Sequence, residues 1–110
     1  MQTHNVTLRD GSLATLYQAE SGLWVCPICG CSELSTAPYF DNGAASFEMC
    51  SCGFEFGFDD DPGASSDAVE CVQDNWQRWR TQFLARFLDR PQAMAEVSLR
   101  LRAIGLEVAQ

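Results

Sequence analysis

Cys26-Pro27-Ile28-Cys29-Gly30 and Cys50-Ser51-Cys52-Gly53 are the stretches that decide how this chain folds. Each puts two thiols on one tight turn and ends on a glycine, a residue that tolerates positive φ and lets backbone N–H groups turn toward sulfur. Twenty residues lie between the two pairs. Four thiolates supplied in this way complete a tetrahedron around Zn2+, with metal–sulfur bonds of about 2.3 Å and no position left for water or substrate. The expected site is therefore structural, with Cys26, Cys29, Cys50 and Cys52 as ligands, zinc as cofactor and no catalytic residue. One residue between Cys50 and Cys52 makes a tighter chelate than the usual two. Cys31 and Cys71 thus stay open as alternative ligands, Cys31 being the nearer; otherwise both are unligated thiols. Iron is the other ion that paired cysteine turns accept, in rubredoxin-like sites.

Working outward, residues 5–18 place two β-prone runs around Asp10-Gly11, the dipeptide of a hairpin turn. Residues 22–25 and 45–49 read as strands leading into Cys26 and Cys50, with a loop over residues 32–43 marked by Pro38, Asn42 and Gly43. Phe54, Phe56 and Phe58 alternate with Glu55 and Gly57, the period of a strand with one buried face. The acidic turn Asp59-Asp60-Asp61-Pro62-Gly63 ends it. Asp67 and Glu70 have capping-box spacing, and Val69, Val72, Trp76, Trp79, Phe83 and Phe87 recur every three or four residues, which predicts one long helix with an apolar stripe. Pro91 opens a second helix carrying Met94, Val97, Leu101 and Ile104, and Gly105 stops it. The expected architecture is α+β: one domain over residues 1–110, with a small zinc-ribbon-like antiparallel β region and metal site over 1–58 and a C-terminal helical hairpin over 66–106.

The composition is that of a folded chain, 46% hydrophobic and 20% charged over 110 residues. Its charge is uneven. Residues 1–77 hold twelve acids and one base, Arg9, whereas residues 78–110 hold six arginines and three acids; the net charge is −8 and there is no lysine. Phosphate binding requires a basic patch, so the acidic body argues against nucleic acid as a partner and for a basic or amphipathic protein. No segment has the length of a bilayer span, and the N-terminus lacks an apolar leader, so membrane association is not expected and a cytoplasmic location is. In a reducing compartment six cysteines are metal ligands or free thiols rather than disulfides.

Other residues carry bland expectations. His4 is the only histidine and is read as a surface residue near the terminus, which leaves no histidine-based catalytic group. Asp59, Asp60 and Asp61 are read as a solvated acidic loop, and Trp76 and Trp79 as core. Arg78, Arg80, Arg86 and Arg90 are read as the solvated sides of a helix.

WVCPICG, then APYFDNGAASFEMCSCGFEFGFDDD, then a tryptophan-bearing helix resemble the bacterial cysteine-rich CPCC-type family of small zinc-ribbon-like proteins, over roughly Trp24 to Trp79. The Cys50-Ser51-Cys52 spacing departs from that family, where two residues more often separate the cysteines. The resemblance implies a metal-stapled fold and, because some relatives sit beside toxins in bacterial competition systems, an immunity or antitoxin factor that occludes a toxin. Such a non-enzymatic, protein-binding role is the leading expectation. A nucleic-acid-binding zinc ribbon using the arginine-bearing helices is the alternative, and a redox protein using Cys31 or Cys71 the third.

Overall fold

Asp10 organises the first turn: its carboxylate accepts the Ser12 N–H at 3.0 Å and the Ser12 hydroxyl at 2.6 Å. The turn joins β1 (Gln2–Thr7) to β2 (Leu13–Gln18), which pair antiparallel with His4 opposite Leu16 and Val6 opposite Ala14. Two short strands, β3 (Trp24–Val25) and β4 (Ser32–Leu34), extend the sheet in the order β1-β2-β3-β4, every neighbour antiparallel. The computed structural model describes residues 1–60 and 71–106.

The helices follow as α1 (Val72–Ala85) and α2 (Pro91–Arg102). The stripe expected from the sequence faces inward at Val72 and Trp76, which are buried, while Trp79 and Phe83 are partly covered. Phe87 lies beyond the end of α1 and packs against Phe83 at a ring separation of 5.1 Å. Leu106 N–H bonds Leu101 C=O and Gly105 N–H bonds Arg102 C=O, the paired bonds that close a helix C-terminus. Val69, the Asp67/Glu70 capping box and Asp61-Pro62-Gly63 lie outside the described residues. Cys71 gives α1 no side-chain cap; the Val72 N–H is instead accepted by Asp10 Oδ2 at 2.8 Å, so the hairpin turn caps a helix distant in sequence. Burial opposes ionisation of Asp10, yet the hydrogen bonds from Ser12 and Val72 outweigh it and hold the carboxyl down at about 2.

The architecture is α+β, but three segments differ from expectation. Residues 32–34 are a strand within the anticipated loop, because they pair with Trp24-Val25 across the first cysteine turn. The anticipated strand over 45–49 is reduced to two isolated bridges, Tyr39 with Ala45 and Met49 with Glu55. Phe47 sits between them at φ +58°, a left-handed conformation that breaks the pleat. The Phe54/Phe56/Phe58 alternation is not a strand either. Phe58 N–H and Asp59 N–H both turn back to Glu55 C=O, so Phe54 and Phe56 are buried from a looped backbone and Phe58 stays exposed.

Two apolar clusters result. One joins Val6, Leu16, Leu34, Tyr39, Phe54, Phe56 and the four knuckle cysteines to Val72 and Trp76. The other packs Val97, Leu101 and Ile104 on Val25 and Tyr17. The cysteine turns thus lie between the sheet and the helices.

Candidate metal centre

The two cysteine turns are built alike. Gly30 N–H bonds Cys26 C=O at 2.8 Å, and Gly53 N–H bonds Cys50 C=O at 2.9 Å. Within the first turn the Ile28 N–H donates to Cys26 Sγ at 3.4 Å. A backbone N–H aimed at sulfur favours the thiolate form and fixes where that sulfur points.

Across the turns, Cys26 Sγ lies 3.9 Å from Cys52 Sγ and Cys29 Sγ lies 3.5 Å from Cys50 Sγ. All four sulfurs fall within 4.8 Å of one another, and together they can hold a metal ion. A tetrahedral ion with four bonds of about 2.3 Å has sulfur–sulfur edges of about 3.8 Å, so the observed spacing suits such an ion. It is far too long for a disulfide, and all six cysteines are free. The four side chains are buried among core residues, leaving no open face for a substrate. Thiols crowded this closely cannot all ionise without a cation. Cys26 is pushed up through its hydrogen bonds to Cys29, Cys50 and Cys52 together with burial, while Cys50 is pulled down as the acceptor of the others.

Polar side chains from other elements hold this centre in place. Arg80 of α1 donates to the Pro27 carbonyl at 3.0 and 2.7 Å, and Arg100 of α2 reaches the Cys29 carbonyl at 3.4 Å. Arg80 is therefore not the solvated helix residue the sequence suggested, since its guanidinium is drawn inward by a carbonyl that the cysteine turn leaves unpaired. Gly30 allows α2 to approach: a Cβ there would stand 2.8 Å from Arg100 Cβ, and its φ is +82°. Glu33 of β4 accepts the Ser51 N–H at 3.2 Å and the Ser51 hydroxyl, which ties the second turn to the sheet.

The other candidate residues are placed as follows. Cys31 is half-buried beside the centre, in a looser group with Cys29 and Glu33, and burial with the nearby Cys29 pushes its thiol up to about 11. Cys71 is half-buried at the start of α1. Asp60 is not solvated: it is completely buried and accepts from Tyr39 OH at 2.6 Å, Trp76 Nε1 at 2.9 Å and Gly57 N–H at 2.8 Å, with Arg9 at 3.3 Å. Burial and this bond push the Tyr39 hydroxyl far above its usual range. Sequence reading missed this hub because Arg9 and Tyr39 lie far from Asp60 along the chain. His4 is likewise no plain surface residue, since its ring lies 4.7 Å from that of Trp24 and its Nε2 is buried.

Among the described residues no helix is long and apolar enough to cross a membrane. No family model, curated protein or solved structure matches the chain.

Proposed function

We propose that the chain is a non-enzymatic bacterial protein, held together by a structural zinc ion on Cys26, Cys29, Cys50 and Cys52, which acts in the cytoplasm by binding a protein partner. The observation that carries the zinc reading is the closed set of four buried sulfurs at a spacing that suits a tetrahedral ion. A thiolate-only set suits zinc, which is indifferent to ligand-field geometry, and a closed set supplies a staple rather than a catalyst. A core of the kind described, small and partly built on turns, is the setting in which such an ion contributes folding energy outright.

Charge supports the partner reading. Residues 1–60 contain eight acids and a single base, Arg9, and that base is engaged by Asp60. The surface of this half is thus suited to a basic protein. Arg80 and Arg100 face carbonyl groups of the cysteine turn, which favours a structural role for them over phosphate contacts. The resemblance to the CPCC-type proteins makes the partner a toxin that this chain occludes as its immunity or antitoxin factor. The test is co-expression with the products of adjacent genes: rescue from a toxic neighbour, with a stable complex that weakens as salt rises, is the expected result. Absence of rescue from every toxic neighbour would sink the reading.

A further inference from the structure

We infer that Arg80 and Arg100 are the counter-charges of the four-cysteine centre and set it for a divalent ion rather than a trivalent one. This role rests on the metal site proposed above, whose paired cysteine turns can accept zinc or iron. Both guanidiniums come from helices, and both meet the first cysteine turn. Arg80 of α1 donates through Nε and Nη2 to the Pro27 carbonyl, beside Cys26, at 3.0 and 2.7 Å. Arg100 of α2 donates through the same two nitrogens to the carbonyl of Cys29, at 3.4 Å each. Both side chains are half-buried. Neither has an acidic partner among the described residues, where Arg9 with Asp60 is the one ion pair.

A carbonyl satisfies a donor without cancelling its charge, and a cation withdrawn from water needs an anion close by. Here the sulfurs are that anion. Burial lowers the pKa of Arg80, and Cys26 acts in the opposite sense. Counting the buried charges then selects the ion. Four thiolates around a divalent ion keep two negative charges, which the two guanidiniums match. Around a trivalent ion they keep only one, and a half-buried cation is left without a partner. Glu33 Oε1 lies 3.1 Å from Cys50 Sγ, yet the Glu33 side chain is exposed, so water screens its charge.

Iron serves as the probe, because a tetrathiolate site carries two negative charges with Fe2+ and one with Fe3+. The full chain is loaded with iron, and its reduction potential is compared with those of Arg80→Gln, Arg100→Gln, Arg80→Lys and Arg100→Lys. Zinc affinity is measured alongside by competition with a chelator. Loss of a positive charge disfavours the reduced, more negative site. Each Gln variant should therefore lower the potential by about 59 mV, a tenfold shift away from the divalent state, and weaken zinc binding by about tenfold. Loosening of the turn alone would have the opposite sign, since water admitted to the centre favours the more highly charged site and raises the potential. The Lys variants keep the charge and lose the fork, so they should stay within about threefold of the parent even where stability falls. Where a Gln variant holds no iron, its Lys counterpart decides: a potential like the parent's supports the role, and a tenfold fall overturns it. A potential that rises or stays unchanged in the Gln variants would also overturn it while leaving the metal site standing. A chain that binds neither zinc nor iron would overturn both, and a failed toxin rescue bears on neither.

Discussion

Asp60 and Gly30 show how much of this molecule depends on single side chains, or on the lack of one. Asp60 is a completely buried carboxylate with Arg9, Tyr39, Trp76 and the Gly57 N–H converging on it. Asp60→Ala strands those donors in the core and should cost about 3 to 5 kcal/mol, seen as a lower midpoint in denaturant unfolding. Arg9→Ala leaves the neutral donors in place and should cost less. A loss for Asp60→Ala no greater than that for an exposed acid such as Asp41 would refute the hub. Gly30→Ala must adopt a left-handed backbone at about 1 to 2 kcal/mol and also force α2 away from the cysteine turn. Gly53→Ala has the same backbone problem with no atom within 4 Å, so it should be the milder of the two. Equal stability losses would show that the contact between Gly30 and Arg100 is unimportant. None of these features is local in sequence. Asp60 reads as one acid in a run of three, and its counter-ion lies 51 residues away. The cluster of Cys26, Cys29, Cys50 and Cys52, by contrast, was legible because the short spacing within each pair puts two thiols on one turn.

The hairpin and α1 are coupled through Asp10, whose carboxylate closes the β1–β2 turn and accepts the first free N–H of the helix. Its pKa is lowered to about 2, so the stability it contributes is fully present above the ordinary carboxyl pKa of 3.8 and is lost as pH falls through about 2. Asp10→Ala should therefore cost about 1 kcal/mol, the usual value of a helix cap, by the same amount at every pH between about 6 and 8. Chemical denaturation across that range checks it, and a deficit that changed with pH there would contradict the assignment. Elements were legible where a period of three to four was continuous, as in both helices, and where a turn dipeptide was flanked by β-prone residues. They were misread around the second cysteine pair. There the alternation Phe54, Phe56, Phe58 satisfies a strand pattern, although the burial of the first two rings is achieved by turns, and a left-handed Phe47 interrupts the neighbouring segment. Period-two burial needs only alternate side chains facing inward; it does not require a ladder of hydrogen bonds.

At the scale of the molecule, the cysteine turns occupy the junction between sheet and helices, with Arg80 and Arg100 reaching them from α1 and α2 and Glu33 from β4. A metal ion held at this junction should make stability depend on pH in its own way, because protons compete with such an ion for the thiolates and affinity falls as pH falls. Cys29→Ser should reduce bound metal from about one ion per chain to near zero and lower thermal stability, with metal content read by elemental analysis. The helices have apolar stripes of their own and should keep part of their far-UV signal when the ion is gone. The most direct measurement is amide hydrogen exchange on the metal-loaded chain and on the same chain after chelation with verified metal removal. The N–H groups of Ile28, Gly30, Cys50 and Gly53, which bond Cys26 Sγ and the Cys26, Phe54 and Cys50 carbonyls within the two cysteine turns, should exchange slowly when the ion is bound and lose most of their protection without it. Unchanged protection at those four amides after metal loss would contradict the account that the four-cysteine centre staples the fold.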